Sequence, residues 1–159
     1  MSLPPFPMKI DIPGNGPLVI ETVILDLNGT LCVGGKLVPG VTERIHELRK
    51  KCQLVLFSGD TRGDASQLAH DLGIAFTRTK TGQDKADEAD KLQADKCAAI
   101  GNGLIDLQLI QRVKLGIVVL QGEGAHAKTL LAADIIVPSV NDALDLFIDE
   151  QRLIATLRE

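Results

Sequence analysis

The chain has 159 residues and a mass of 17.0 kDa, the length of one ordinary domain able to bury its own core without staples. Hydrophobic residues make up 45% and charged residues 24%, which excludes a disordered chain. The formal net charge of -4, the lack of a basic cluster and the 3% aromatic content, all Phe, exclude a nucleic-acid partner with its electrostatic footprint or base-stacking platform.

The Pro-rich start, Met1 to Pro7, has neither the basic opening nor the apolar stretch of a signal peptide. Two short extended segments, Met8 to Ile12 and Leu18 to Glu21, flank the turn cluster Pro13-Gly14-Asn15-Gly16-Pro17 and form a small N-terminal β extension over residues 1–21. Residues 22–148 then alternate. Thr22 to Leu27 reads as a buried strand, Val33 to Val38 as a small hairpin flap, and Val41 to Cys52 as a helix. Gln53 to Phe57 is a strand, Ala65 to Leu72 a helix closed by Gly73, Ile74 to Thr77 a strand, and Asp84 to Gln93 a charged helix. Cys97 to Ile100, Leu115 to Leu120 and Ile135 to Val137 are strands; Leu104 to Arg112, Gly124 to Leu131 and Ser139 to Ile148 are helices. A last helix fills residues 149–159, and Ser139 with Asp142 and Thr81 with Asp84 are candidate capping boxes. The longest apolar run, Leu115 to Leu120, is too short to span a bilayer, so no membrane partner is expected. Cys32, Cys52 and Cys97 are odd in number and lack CxxC spacing, which fits a reducing cytoplasm better than a disulfide framework. Strands without strict alternation, separated by helices, predict one α/β domain over 1–159 with a doubly wound, mainly parallel sheet.

Ligands of such sheets sit outside the carboxyl ends of the strands. Those ends are polar here: Asp26-Leu27-Asn28-Gly29-Thr30, then Ser58-Gly59-Asp60-Thr61, then Gly101-Asn102-Gly103-Leu104-Ile105-Asp106. Asp26 at a strand mouth suits a nucleophile or a metal ligand. Ser58 and the N–H groups of Gly59 and Asp60, near a helix start, suit an anion. Lys85 adds a cation against phosphate oxygens, and Asn102 and Asp106 offer hard oxygens to Mg²⁺. Together they suit phosphoryl transfer, which depends on positioning and charge neutralisation.

The order of these segments resembles the haloacid dehalogenase (HAD) superfamily of aspartyl phosphotransferases, and most of all the phosphorylation domain of P-type ATPases. Phe57-Ser58-Gly59-Asp60 resembles their Thr-Gly-Asp motif, Gly101 to Asp106 their Gly-Asp-Gly-x-Asn-Asp motif, and Ala132-Ala133-Asp134 the segment that follows. The resemblance implies a HAD-like Rossmannoid core and an Mg²⁺-dependent hydrolase. Asp26 matches the nucleophile that becomes an aspartyl phosphate, and Thr30 closes that motif. The resemblance places Ser58, Gly59, Thr30 and Lys85 on a small phosphorylated substrate. It places Asp26, the Asn28 carbonyl, Asn102 and Asp106 around the metal.

Three positions depart from that pattern. Asn28 replaces the Asp that serves phosphatases as general acid and base, help typically worth about 10²–10⁴-fold. Asn102 replaces a carboxylate ligand, and Ile105 replaces an Asn that orients the lysine, so Lys85 is expected to be less well held. Turnover is therefore expected to be slow or impaired, and the alternative is a catalytically weak HAD-fold binding or regulatory module. Both Asn28-Gly29 and Asn102-Gly103 are deamidation-prone pairs whose ageing would restore Asp. No insertion between the motifs is long enough for a cap domain, so the open site is expected to be covered by a large substrate or by a neighbouring subunit of a homo-oligomer.

Simpler roles exist for each residue. Asp26 could be a turn acid, Ser58 a helix cap, Lys85 a solvated charge with Lys80 as its rival, and Asn102 and Asp106 turn formers. His46, His70 and His126 are scattered and read as surface or structural residues. Gly101-x-Gly103 between strand and helix resembles a dinucleotide fingerprint, but Asp106 stands where the third Gly belongs.

Overall fold

The computed structural model describes residues 7–60 and 63–159; most of the Pro-rich start, and Thr61, lie outside them. Six strands form one parallel sheet: β3 (Thr22–Asp26), β6 (Gln53–Ser58), β7 (Ala75–Arg78), β8 (Cys97–Gly101), β9 (Leu115–Val119) and β10 (Ile135–Val137). Their order is β10-β9-β8-β3-β6-β7. The chain winds outward from β3 to one edge, then returns to β8 and winds to the other. The reversal between β3 and β8 is the switch point where open α/β sheets hold their ligands.

The central strands β3, β8 and β9 are buried on both faces, which is why they lack a polar alternation. Side chains still alternate between two cores. Val23, Leu25, Leu54, Leu56, Ile100 and Ile117 face α1 (Val41–Leu48), α2 (Asp64–Leu72) and α6 (Val140–Ile148). Ile24, Val55, Phe57, Ala99 and Val118 face α3 (Gly82–Lys91) and α4 (Leu107–Arg112). The flap is the pair β4 (Cys32–Val33) and β5 (Lys36–Leu37).

The extension is an antiparallel hairpin of β1 (Met8–Ile12) and β2 (Gly16–Ile20), so its second strand begins two residues earlier than the apolar pattern implied. Its turn is tied to the C-terminal helix α7 (Glu150–Leu157): Glu159 N–H donates to the Pro13 carbonyl at 3.0 Å.

Two further boundaries differ for local reasons. Helix α3 starts at Gly82 because Thr81 and Asp84 form a reciprocal capping box, with bonds of 3.0 and 3.1 Å, and the residues between them are the first turn. Helix α5 (Ala127–Ala132) starts three residues late because Gly124, at φ +74°, belongs to a turn and the His126 ring caps the Lys128 N–H. No helix of the described residues is long and apolar enough to cross a membrane.

Candidate active site

Strand β3 ends on Asp26, whose register partner on β6 is Phe57, so Ser58 is the next residue on the adjacent strand. On the other side β8 ends on Gly101 and delivers Asn102. The α3 capping box fixes where that helix begins and thereby aims Lys85, in its first turn, into the same corner. Lys85 is 2% exposed, and its Nζ lies 2.7 Å from Asp26 Oδ1 and 2.7 Å from Asp106 Oδ1. Lys80, the rival, is an exposed residue just before the cap.

The rest of the floor closes around this triad. Thr30 Oγ1 lies 3.1 Å from Asp26 Oδ2 and 3.3 Å from Asn102 Oδ1. Asn102 Nδ2 donates to the Gly124 carbonyl at 3.1 Å, which fixes the amide with its oxygen on the Thr30 side. Gly29 (φ +82°) and Gly101 permit the packing: a Cβ on Gly29 would run into the Asn102 amide, and one on Gly101 would lie 2.6 Å from Asp106 Cγ.

Asp106 does not fit the expected metal-ligand role. It is fully buried, Oδ1 is taken by Lys85, and Oδ2 accepts the N–H groups of Asn102 and Gly103 at 3.0 and 3.1 Å. Its carboxylate is consumed in holding the lysine and the turn. The same contacts correct the expectation about Ile105. Lys85 is firmly held without an Asn at position 105, and Ile105 is exposed. The predicted Leu104 to Arg112 helix breaks for this reason: Leu104–Asp106 is a 3₁₀ turn that swings Asp106 back under the lysine, and α4 follows.

Three charges share one dry corner, two of them negative. The Asp26 pKa is raised to about 6, by burial first and by the Asp106 charge second, while Lys85 and Thr30 oppose the rise. Burial also works against the Lys85 charge, but the two carboxylates overturn it and hold the lysine above its ordinary pKa.

Outward from this floor lies an open groove of about 720 Å³. Asn28, Ser58 and Gly59 line it, with the flap residues Gly34 and Gly35 opposite. Ser58 accepts from the Asp60 N–H at 3.3 Å, and Asp60 takes the left-handed φ of +51° while its carboxylate caps Ala65. The Asn28 side chain is exposed, and its carbonyl meets no donor among the described residues. That carbonyl, the Asp26 carboxylate and Asn102 Oδ1 are hard oxygens of the kind Mg²⁺ takes, with one carboxylate among them. Among the described residues no group of three His, Cys, Asp or Glu side chains is placed to hold a metal. The three histidines are all exposed, and the three cysteines are free and buried.

Sequence reasoning missed Gln121. It follows β9, and its Nε2 donates to the carbonyls of Gly29 and Thr30 at 3.0 and 2.6 Å while Oε1 accepts the Val140 N–H at 3.0 Å. The strand-end rule that picked out the other residues applies to it too, but an uncharged side chain paired with backbone leaves no motif.

No protein-family model matches the chain. In sequence it is similar to two proteins of Methanocaldococcus jannaschii. The uncharacterized protein MJ0073 is 52% identical over 64 residues, 40% of this chain and 69% of that protein. The uncharacterized protein MJ0072 is 41% identical over 39 residues, 24% of this chain and 89% of that protein. In structure it is similar to the cobalt-bound deoxy-D-mannose-octulosonate 8-phosphate phosphatase of Haemophilus influenzae (TM-score 0.70, 19% identity, 83% of this chain and 89% of that one). The Moraxella catarrhalis 3-deoxy-D-manno-octulosonate 8-phosphate phosphatase, in complex with magnesium, phosphate and the sugar acid, gives a TM-score of 0.66 at 19% identity over 87% of this chain and 94% of that one. The catalytic domain of the CPx-ATPase CopB-B gives 0.61 at 21% identity, over 72% of this chain and 46% of that one. The chain thus belongs with the MJ0073 protein of M. jannaschii in one family, and it carries the haloacid dehalogenase fold.

Proposed function

We propose that the protein is an Mg²⁺-dependent phosphohydrolase that works through an aspartyl phosphate on Asp26. One observation carries this reading: a buried Asp26–Lys85–Asp106 triad at the switch point of the sheet, next to an open groove. Such a triad is costly to bury and does little for stability. Structural neighbours with the same fold include phosphatases captured with cobalt or magnesium.

Asp26, the Asn28 carbonyl and Asn102 Oδ1 are the oxygens that would hold Mg²⁺, which supplies charge neutralisation at the phosphoryl group. An Asp26 carboxylate oxygen attacks phosphorus, a new O–P bond forms, and the bond to the leaving oxygen breaks. Lys85 keeps Asp26 ionised and neutralises a phosphoryl oxygen, while Ser58 and the Gly59 N–H take others. Asp106 holds Lys85. Water then attacks the phosphorus, a new O–P bond forms as the Asp26 O–P bond breaks, and the phosphate leaves with the water protons, which it shares with solvent. Asn28 can neither protonate the first leaving group nor take a proton from water, so turnover is slow and favours good leaving groups such as acyl phosphates. The natural substrate in this reading is a small phosphorylated molecule, and the partner that covers the groove is a second copy of the chain in a cytoplasmic homo-oligomer.

The test is a Mg²⁺-dependent phosphatase assay on freshly prepared protein with acetyl phosphate and an alkyl phosphate. We expect turnover of the first above the second, loss in Asp26→Asn and a gain on the alkyl ester in Asn28→Asp. Asn28→Asp that stays inert with both would overturn the reading. It would favour a binding module, a second reading that the exposed amide of Asn28 supports.

A further inference from the structure

We infer that Gln121 is a positioning residue for the phosphoryl-transfer loop, a role that rests on the function proposed above. The loop from Leu27 to Thr30 must present two groups to the corner at once: the Asn28 carbonyl and the Thr30 hydroxyl, which spans Asp26 Oδ2 and Asn102 Oδ1. Its own bonds do not fix that presentation. The Gly29 N–H reaches the Cys32 carbonyl at 2.7 Å, and the Thr30 and Cys32 N–H groups both reach the Leu27 carbonyl, at 3.1 and 2.9 Å. These bonds close a turn but leave the carbonyls of Gly29 and Thr30 needing donors. Gln121 supplies both from one amide nitrogen. Two carbonyls flank the peptide unit whose Thr30 side chain touches the nucleophile, so holding them sets the tilt of that unit.

The far end of Gln121 is equally committed. Oε1 accepts from Val140, the first residue of α6, whose helix is capped by Ser139 through a 3.1 Å bond to the Asp142 N–H. The amide therefore bridges the catalytic loop to a helix that packs in the main core. A side chain with one acceptor and two donor hydrogens fits this role, and among the common residues only Gln offers them at this reach. Asn is one methylene shorter, Glu lacks the donors, and Met lacks both. The loop's geometry is thereby referenced to a rigid element and not to the exposed flap.

Two variants separate the two ends of the bridge. Gln121→Glu keeps the acceptor for Val140 and puts an anion against two carbonyls. Gln121→Met keeps the volume and removes every bond. The measurement is amide hydrogen exchange of the intact protein, with Gln83→Met, on the exposed face of α3, as control. We expect faster exchange over residues 27–32 in both Gln121 variants, faster exchange at the first turn of α6 in Gln121→Met alone, and no change at either place in the control. Unchanged exchange over 27–32 in both variants overturns the inference whether or not the protein is an enzyme. With acetyl phosphate and Mg²⁺ we expect kcat to fall roughly 10–100-fold in both variants with KM little moved, the usual cost of losing an outer partner of a metal site. Faster loop exchange with unchanged kcat would also overturn it, since the loop would then be held without being held for catalysis. A wild type inert towards every phosphate tested is the failure of the proposed function, and the exchange data still decide whether Gln121 orders the loop.

Discussion

The floor of the site and its rim are built on opposite terms. Asp26, Thr30, Lys85, Asn102 and Asp106 are each at most 8% exposed, and they form one continuous hydrogen-bonded set drawn from the end of β3 and its loop, the residue after β8, α3 and the turn before α4. Asn28, Gly34, Gly35 and Asp64, at the rim, are exposed, and among the described residues the flap has a single side-chain tether, Gly34 N–H to Glu123. The floor is where charge must be held in place, and low dielectric makes each of its bonds count. In the proposed function the rim is where a leaving group of unspecified shape enters, and little is fixed there. Substitutions at the floor should therefore move stability strongly, whereas those at the rim should move turnover more than stability.

The largest effect should come from Lys85→Met. It leaves two carboxylates buried against one another, and breaking such a set by removing one partner typically costs about 3–5 kcal/mol. Chemical denaturation should show that loss at pH 7, and Asp26→Asn in the same background should recover part of it. A Lys85→Met protein as stable as the wild type would refute the idea that the floor is an electrostatic unit.

Asp26→Asn alone should stabilise the protein. Burial is the main cause that pushes the native carboxyl up to about 6, from the 3.8 usual for an aspartate. Between those values the native state holds more protons than the unfolded one, so wild-type stability falls as pH rises through that window. The Asn variant has no such loss, and its amide can donate to Thr30 while the Thr30 hydroxyl donates on to Asn102. The advantage should be absent below about pH 4 and complete above about pH 6, on the order of 1–3 kcal/mol from a shift of this size. Melting curves at pH 4 and pH 7 measure it, and equal gains at both pH values would show that desolvation of the charge is not the cause.

How far the sequence could be read follows the same division. The sheet, its flanking helices and the place of Asp26 at a strand end were legible because a buried parallel strand is a continuous apolar run and its polar end stands out. Lys85 could be separated from Lys80 in principle by the Thr81–Asp84 box, which fixes the helix phase. The role of Asp106 was not legible. A motif tells that an acid is present, but only the 3₁₀ turn decides whether it faces a metal or a lysine. Gln121 was hidden for a stronger reason: its partners are backbone carbonyls 92 and 91 residues away, and carbonyls carry no sequence signature. Position 102 is intermediate. Its Asn reads as a lost carboxylate, yet the structure uses the amide hydrogens on the Gly124 carbonyl. Asn102→Asp should thus cost about 1–3 kcal/mol, the price of setting a carboxylate oxygen against the Gly124 carbonyl in a buried place, and added Mg²⁺ should recover it. A variant as stable as wild type without Mg²⁺ would mean that the Gly124 bond is not what retains the Asn.

The smallest effect should be at the rim. Glu123→Ala removes the flap tether, an exposed bond from the Gly34 N–H at 3.1 Å. Solvent offers that N–H a replacement partner, so the loss should stay under about 1 kcal/mol. Hydrogen exchange at Gly34 and Gly35 should nevertheless quicken, because the two-stranded flap has no other side-chain anchor among the described residues. Turnover should respond to the same freedom: a looser flap admits water and leaving group alike, and KM should rise with little change in denaturation midpoint. If Glu123→Ala destabilised the chain as much as Lys85→Met, the flap would be part of the folded core, and the distinction between a rigid floor and a permissive rim would not describe this protein.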